Sequence, residues 1–157
     1  MSLSAPSSRS IRATGFRFGL AAARFNEALV DGLLTRVVAG LKKAGVSAKD
    51  IRVVRVPGSH EVPWAVQQLA AAGRLDGIIA LGVLIAGDTN HHEMVGNSVS
   101  QALQGIAVGT GVPVINGVIV VNSAAQARAR CVGKINRGAE FAAAALEMAA
   151  LRREFSR

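Results

Sequence analysis

Two of the chain's three histidines are adjacent, at the end of the run Gly82-Val-Leu-Ile-Ala-Gly-Asp-Thr-Asn-His-His-Glu93. Imidazole exchanges protons near neutrality, so a histidine pair at the close of an apolar segment marks this stretch as a candidate active-site loop. A helix starting there would also present free backbone N–H groups and a positive dipole end, which suit an anion. Three other apolar segments end in polar or aromatic groups: Arg24-Phe25-Asn26, Pro57-Gly-Ser-His-Glu61, and the stretch from Asn116 to Asn122. Arg128, Arg130, Lys134 and Arg137 form the one dense group of cations, and a small anionic ligand is the natural partner for it.

Other chemistries fit less well. Adjacent histidines on a helix point about 100° apart. No His-x-x-x-His or cysteine pair is present, so a metal site is not expected. The first strand is followed by Ala-Ala-Ala-Arg-Phe-Asn rather than Gly-x-Gly-x-x-Gly, and no Gly-x-x-x-x-Gly-Lys-Ser/Thr occurs, so a nucleotide cofactor is unsupported.

The elements that must carry these residues follow from periodicity. Residues 16–23 read as a strand, with Asn26 as the N-cap of a first helix. Leu29, Val30, Leu33, Leu34, Val37, Val38 and Leu41 recur at helical spacing, and Lys42, Lys43 and Gly45 close that helix. Residues 51–56 form a second strand, stopped by Pro57-Gly58. A helix capped within residues 59–61 carries Pro63 in its first turn and runs to Ala72. Residues 77–85 are apolar on both faces, as a central parallel strand must be. A third helix spans His91 to about Val108, a fourth strand residues 113–121, and a short helix is capped by Asn122 or Ser123. A last, alanine-rich helix spans residues 139–152. The order β-α-β-α-β-α-β-α-α implies an α/β fold: a three-layer α/β/α sandwich on a four-stranded parallel sheet, with ligands at the carboxyl ends of the strands. All four polar segments then converge on one edge.

The whole chain sets outer bounds. Its 157 residues, half of them hydrophobic, suit one compact domain over residues 15–157. Residues 1–14, rich in Ser and Arg without acids, read as a flexible arm that faintly resembles a transit peptide and lacks a secretory apolar core. No apolar run reaches the ~20 residues of a bilayer span. The single cysteine, Cys131, cannot form an internal disulfide, so a cytoplasmic location is the default. A net charge of +8 raises nucleic acid as a partner. Scattered bases and only six aromatics argue against it.

Residue by residue, blander readings compete. Phe25 alone reads as core packing. Glu61 alone reads as a charge at a helix N-terminus, His60 as a solvated turn residue, and Arg130 as a surface cation. His91 divides evenly between helix-terminus residue and catalyst.

What tips the balance is the ordered set Ala23-Arg-Phe-Asn26, Val56-Pro-Gly-Ser-His-Glu-Val-Pro63, Gly82 to His91, Gly111-Val-Pro-Val-Ile-Asn-Gly117 and Gln126-Ala-Arg-Ala-Arg130. From Phe16 to about Leu151 the chain resembles the lumazine synthase family. Pro-Gly-x-x-Glu and Gly-x-Thr-x-His are weak singly and specific together. The resemblance implies a flavodoxin-like sheet and a transferase of riboflavin biosynthesis. It joins 5-amino-6-ribitylaminouracil to 3,4-dihydroxy-2-butanone 4-phosphate, with no metal or organic cofactor. It implies Phe25 stacking on the pyrimidine, backbone groups around Ser59, His60, Val83, Leu84 and Ile85 reading its edge, and Glu61 accepting from ribityl hydroxyls. It further implies His91 in proton transfer, and a phosphate held by Gly87, Asp88, Thr89 and Arg130, with Lys134 one turn on. His92 and Glu93 receive no role.

Family members assemble from homopentamers, some of them stacked into decamers or closed into icosahedral capsids. Sites lie between neighbours, so Asn116, Arg130 and Lys134 would come from the next subunit. Association with riboflavin synthase is also implied. The chain departs from the family at Asn116, where an aromatic is usual, at His60, at Ala86, and in a segment of residues 133–138 that is one residue short. Those departures keep alive a second reading, a non-catalytic flavin- or lumazine-binding or shell-forming relative. The charge alone motivates a third, a nucleic-acid-packaging assembly.

Overall fold

The computed structural model describes residues 4–157. Residues 1–3 of the expected arm lie outside the described residues. Four strands, β1 (Phe18–Ala23), β2 (Ile51–Val56), β3 (Gly77–Ile85) and β4 (Val114–Val121), form one all-parallel sheet in the order β2-β1-β3-β4. Five helices join them: α1 (Glu27–Lys43), α2 (Val62–Ala71), α3 (His91–Thr110), α4 (Ala124–Cys131) and α5 (Arg137–Phe155). Short 3₁₀ turns stand at Ala48–Asp50 and Ser59–Glu61.

The two-residue period of the strands sorts side chains onto two cores. Phe18, Leu20 and Ala22 of β1, with Ile79, Leu81 and Val83 of β3, face α1, α4 and α5. Ala21, Ala23, Ile78 and Ala80 face α2 and α3. β1 is buried along its whole length, whereas β2 and β4 are edge strands with exposed Val53 and Val120. The expected three-layer α/β sandwich is therefore the observed one.

Strand order also fixes where a ligand goes. β1 leads through α1 to β2 on one side, and the chain then returns to β3 on the other side of β1. At such a reversal the loops leaving two adjacent strands diverge to opposite faces and open a crevice at their carboxyl ends. Here that crevice lies beyond β1 and β3.

Several boundaries differ from those read off the sequence. β1 starts at Phe18, not Phe16, because the Arg17 N–H is taken by the Asp76 carboxylate at 2.7 Å. Asp76 is buried, and Arg153 of α5 donates to both its oxygens at 2.6 and 2.9 Å. The Arg153 guanidinium also lies 4.0 Å over the Phe16 ring. α5 runs from Arg137 to Phe155, with the Asn136 side chain accepting from the Ala139 N–H at 3.0 Å. Gly138 belongs to its first turn because α1 passes close by: a Cβ there would lie 2.9 Å from the Leu33 carbonyl oxygen. α1 ends as expected at Gly45, whose φ of 103° lets the Gly45 and Val46 N–H groups return to the Lys42 and Leu41 carbonyls.

Candidate active site

The loop after β1 is held up by its neighbour. Arg24 N–H donates to the Val56 carbonyl at 2.9 Å and Phe25 N–H to that of Pro57 at 3.0 Å, tying the ends of β1 and β2 together. Phe25 is thereby left 72% exposed, so its ring is a surface platform and not the core residue that composition alone favours. Asn26 occupies the N-cap position of α1 but does not cap it with its side chain. Its backbone is left-handed, at φ 56° and ψ 46°, and its Nδ2 donates to the Val83 carbonyl at 2.8 Å. The expected local cap is replaced by a bond across the crevice.

Opposite Phe25 stands the turn Gly58–Glu61. Glu61 Oε2 accepts from the Gly58 N–H at 2.9 Å, while its side chain remains half exposed. A Cβ on Gly58 would lie 3.1 Å from that oxygen and 3.2 Å from Phe25 Cδ2, so glycine is what lets ring and carboxylate approach from both sides. Ser59 is 4% exposed and rests on Gly82 of β3, whose missing Cβ leaves room for the hydroxyl. His60 points outward, its Nδ1 3.9 Å from Glu61 Oε1.

The third wall is the end of β3 and the start of α3. Val83 is buried, Leu84 and Ile85 are half-buried, and Gly87, Asp88 and Thr89 are exposed. Thr89 Oγ1 accepts from the His91 N–H at 3.4 Å, and the Glu93 and Met94 N–H groups both return to the Asn90 carbonyl at 3.1 Å. These walls enclose a cleft of about 460 Å³. Phe25, Ser59, His60, Glu61, Val83, Leu84, Ile85, Gly87, Thr89 and His91 all line it. Asp88 sits between Gly87 and Thr89 in the same exposed loop but is not itself among the lining residues. A polarisable face, a carboxylate, an imidazole and open N–H groups can together hold a flat polar heterocycle beside an anion and move protons between them.

Three candidate residues stand elsewhere on this chain. Asn116, on β4, turns its Oδ1 back to the Val118 N–H at 3.0 Å and lines a separate depression with Glu93, Asn97 and Ser100. Arg130, half-buried on α4, donates to the Gln126 carbonyl at 3.1 Å, and Lys134 is exposed beyond α4. α4 itself is capped by Ser123, whose Oγ accepts from the Gln126 N–H at 3.2 Å, which decides between the two expected caps.

The cleft also contains residues to which the sequence gave no ligand-binding role. Asn26 and Val95 line it, as does His92, both of whose ring nitrogens are buried with no hydrogen-bond partner among the described residues. Only the adjacency of His91 and His92 in the sequence hinted at the latter. Among the described residues no cluster of three or more His, Cys, Asp or Glu could hold a metal ion, and no helix is long and apolar enough to cross a membrane.

Comparison with known proteins bears directly on this cleft. The family model for 6,7-dimethyl-8-ribityllumazine synthase matches residues 15–153. The chain belongs to that family. A 6,7-dimethyl-8-ribityllumazine synthase of Halorhodospira halophila is 45% identical over 139 residues, covering 88% of this chain and 89% of that protein. Those of Thermococcus gammatolerans and Cupriavidus metallidurans are 41% identical over 140 residues and 42% over 137, covering 89% and 87% of this chain and 90% and 79% of theirs. The matched residues of the lumazine synthase family model include every wall of the cleft.

Proposed function

We propose that this chain condenses 5-amino-6-ribitylaminouracil with 3,4-dihydroxy-2-butanone 4-phosphate to give 6,7-dimethyl-8-ribityllumazine, phosphate and water, the penultimate step of riboflavin biosynthesis. The observation that carries the reading is the family match across residues 15–153 together with a cleft at the strand-order reversal that unites Phe25, Glu61 and His91. Phe25 stacks on the pyrimidine, and the backbone of Val83, Leu84 and Ile85, with Ser59 and His60, reads its edge. Glu61 keeps one carboxylate oxygen on Gly58 and turns the other to ribityl hydroxyls. His91 takes and returns protons as the Schiff base forms, phosphate leaves and the ring closes. Open N–H groups at Gly87, Asp88 and Thr89 hold the phosphate. Much of the rate comes from holding two reactive molecules in contact, which removes the entropic cost of their encounter.

Arg130 completes the phosphate site, Lys134 assists, and Asn116 closes the pyrimidine pocket, all from a neighbouring subunit of a homopentamer. Support for this division is that none of the three lines the cleft of its own chain. The test mixes the two substrates with purified protein and follows lumazine absorbance and fluorescence, with the assembly mass measured on the same sample. Turnover by a pentamer or a multiple of it is expected. A protein that retains flavin without turnover would instead be a binding relative, and salt-sensitive RNA retention without turnover would make it a packaging shell.

A further inference from the structure

Among the described residues, four buried side-chain nitrogen or oxygen atoms lack a hydrogen-bond partner, and three of them belong to the cleft: Ser59 Oγ and both ring nitrogens of His92. Buried polar atoms are nearly always paired, so three orphans in one cavity call for a physical reason. They come from two different elements, the 3₁₀ turn after β2 and the first turn of α3, which pack against each other. Ser59 is 4% exposed, and its place against Gly82 is one that no other residue type at position 82 would leave open.

We infer that His92 is a specificity-determining residue, hydrogen-bonding, together with the Ser59 hydroxyl, the uncharged pyrimidine substrate rather than the ketone phosphate. This rests on the reaction proposed above. A neutral imidazole has one N–H donor and one lone-pair acceptor, and a hydroxyl both gives and takes. Ribityl hydroxyls and the ring amides of a pyrimidine are likewise mixed donors and acceptors. A phosphate at neutral pH chiefly accepts, and it would leave the imidazole lone pair unmet. Position agrees with chemistry: the phosphate-binding N–H groups of residues 87–89 belong to an exposed loop, whereas the His92 nitrogens are closed to solvent within a side chain that lines the cleft. His91, exposed and about 100° around the helix from His92, keeps the separate task of proton transfer.

The test compares wild type with His92→Phe, which keeps a ring and removes both nitrogens, and His92→Asn, which restores a donor and an acceptor. KM is measured for each substrate, Kd for 6,7-dimethyl-8-ribityllumazine by its fluorescence, and Tm by thermal unfolding. His92→Phe is expected to raise the pyrimidine KM and the product Kd about tenfold or more, with the ketone-phosphate KM unchanged. His92→Asn recovers most of the loss. Tm of His92→Phe stays level or rises, because carbon replaces buried unpaired nitrogen. An unchanged pyrimidine KM and product Kd overturns the inference, as does an equal rise for both substrates. So does a weakened affinity that accompanies a lowered Tm and is not rescued by Asn. Product binding is read without turnover, so an inactive wild type refutes the proposed reaction while leaving the His92 measurement to stand on its own.

Discussion

Replacing Asp76 by alanine strips a structural lock at the sheet edge opposite the cleft. The carboxylate accepts one bond from the Arg17 N–H and two from the Arg153 guanidinium, at 2.6 to 2.9 Å. Loss of the first strands a part-buried backbone N–H, which costs about 1–3 kcal/mol. Loss of the second costs less, about 0–1 kcal/mol, because the Arg153 side chain is 41% exposed and water takes over. The sum is about 1–4 kcal/mol, or about 2–16 °C in Tm for a chain of this size. The pH dependence carries a definite sign. Burial pushes the Asp76 carboxyl up, but the hydrogen bonds from Arg153 and Arg17 and the charges of Arg153 and Arg152 outweigh it and hold the group below its ordinary value. Its stabilisation is therefore complete above the unfolded value of about 3.9 and is lost as the pH falls through the lower folded value. Thermal and urea unfolding of both proteins at equal concentration, from pH 7 down to pH 2.5, should show a constant gap above pH 5 that narrows below pH 4. A variant as stable as wild type at pH 7, or a gap undiminished at pH 2.5, refutes the reasoning.

Other outcomes follow from single contacts. His91→Ala should slow turnover about a hundredfold or less, since approximation supplies the larger share of the rate, and should leave both KM values near wild type in steady-state assays. Arg130→Ala should abolish productive binding of the ketone phosphate; full activity at limiting ketone phosphate would exclude Arg130 from the site. Gly117→Ala should destabilise by about 2–3 kcal/mol in urea unfolding, because the new Cβ would lie 2.6 Å from the Ala80 carbonyl oxygen and 2.8 Å from Leu81 Cδ2, inside the β3–β4 ladder. Burial raises the Cys131 thiol to about 11 against the pull of Arg36 and Arg130, so about one thiol in a thousand is ionised at pH 8. Thiol reagents should label Cys131 within minutes only after denaturant is added, and rapid labelling in native buffer would contradict that burial.

Local pattern carried most of the fold. The apolar period of α1, the doubly buried run of β3 and the Gly45 turn are each set by residues close in sequence, and each was legible there. What escaped depends on distant partners. The start of β1 moved because Asp76, 59 residues away, takes the Arg17 N–H. α5 continues past Arg152 because that residue bonds the Leu75 and Gly111 carbonyls and the next bonds Asp76. Asn26 reads locally as a cap, yet its amide bonds Val83. Within the site, loop residues after strands announced themselves by type, whereas His92 gained meaning only once its nitrogens proved to be buried and unpaired.

The bond from Asn26 to Val83 makes a caliper of the cleft. One jaw is the segment that carries Phe25, the other is the end of β3 at Val83, and a single amide bond of 2.8 Å joins them. Asn26 combines a left-handed backbone with the amide that bonds Val83. Glycine would keep the backbone turn and release the jaw, while glutamine would keep an amide and strain the turn. The slot is thus gauged before any substrate arrives.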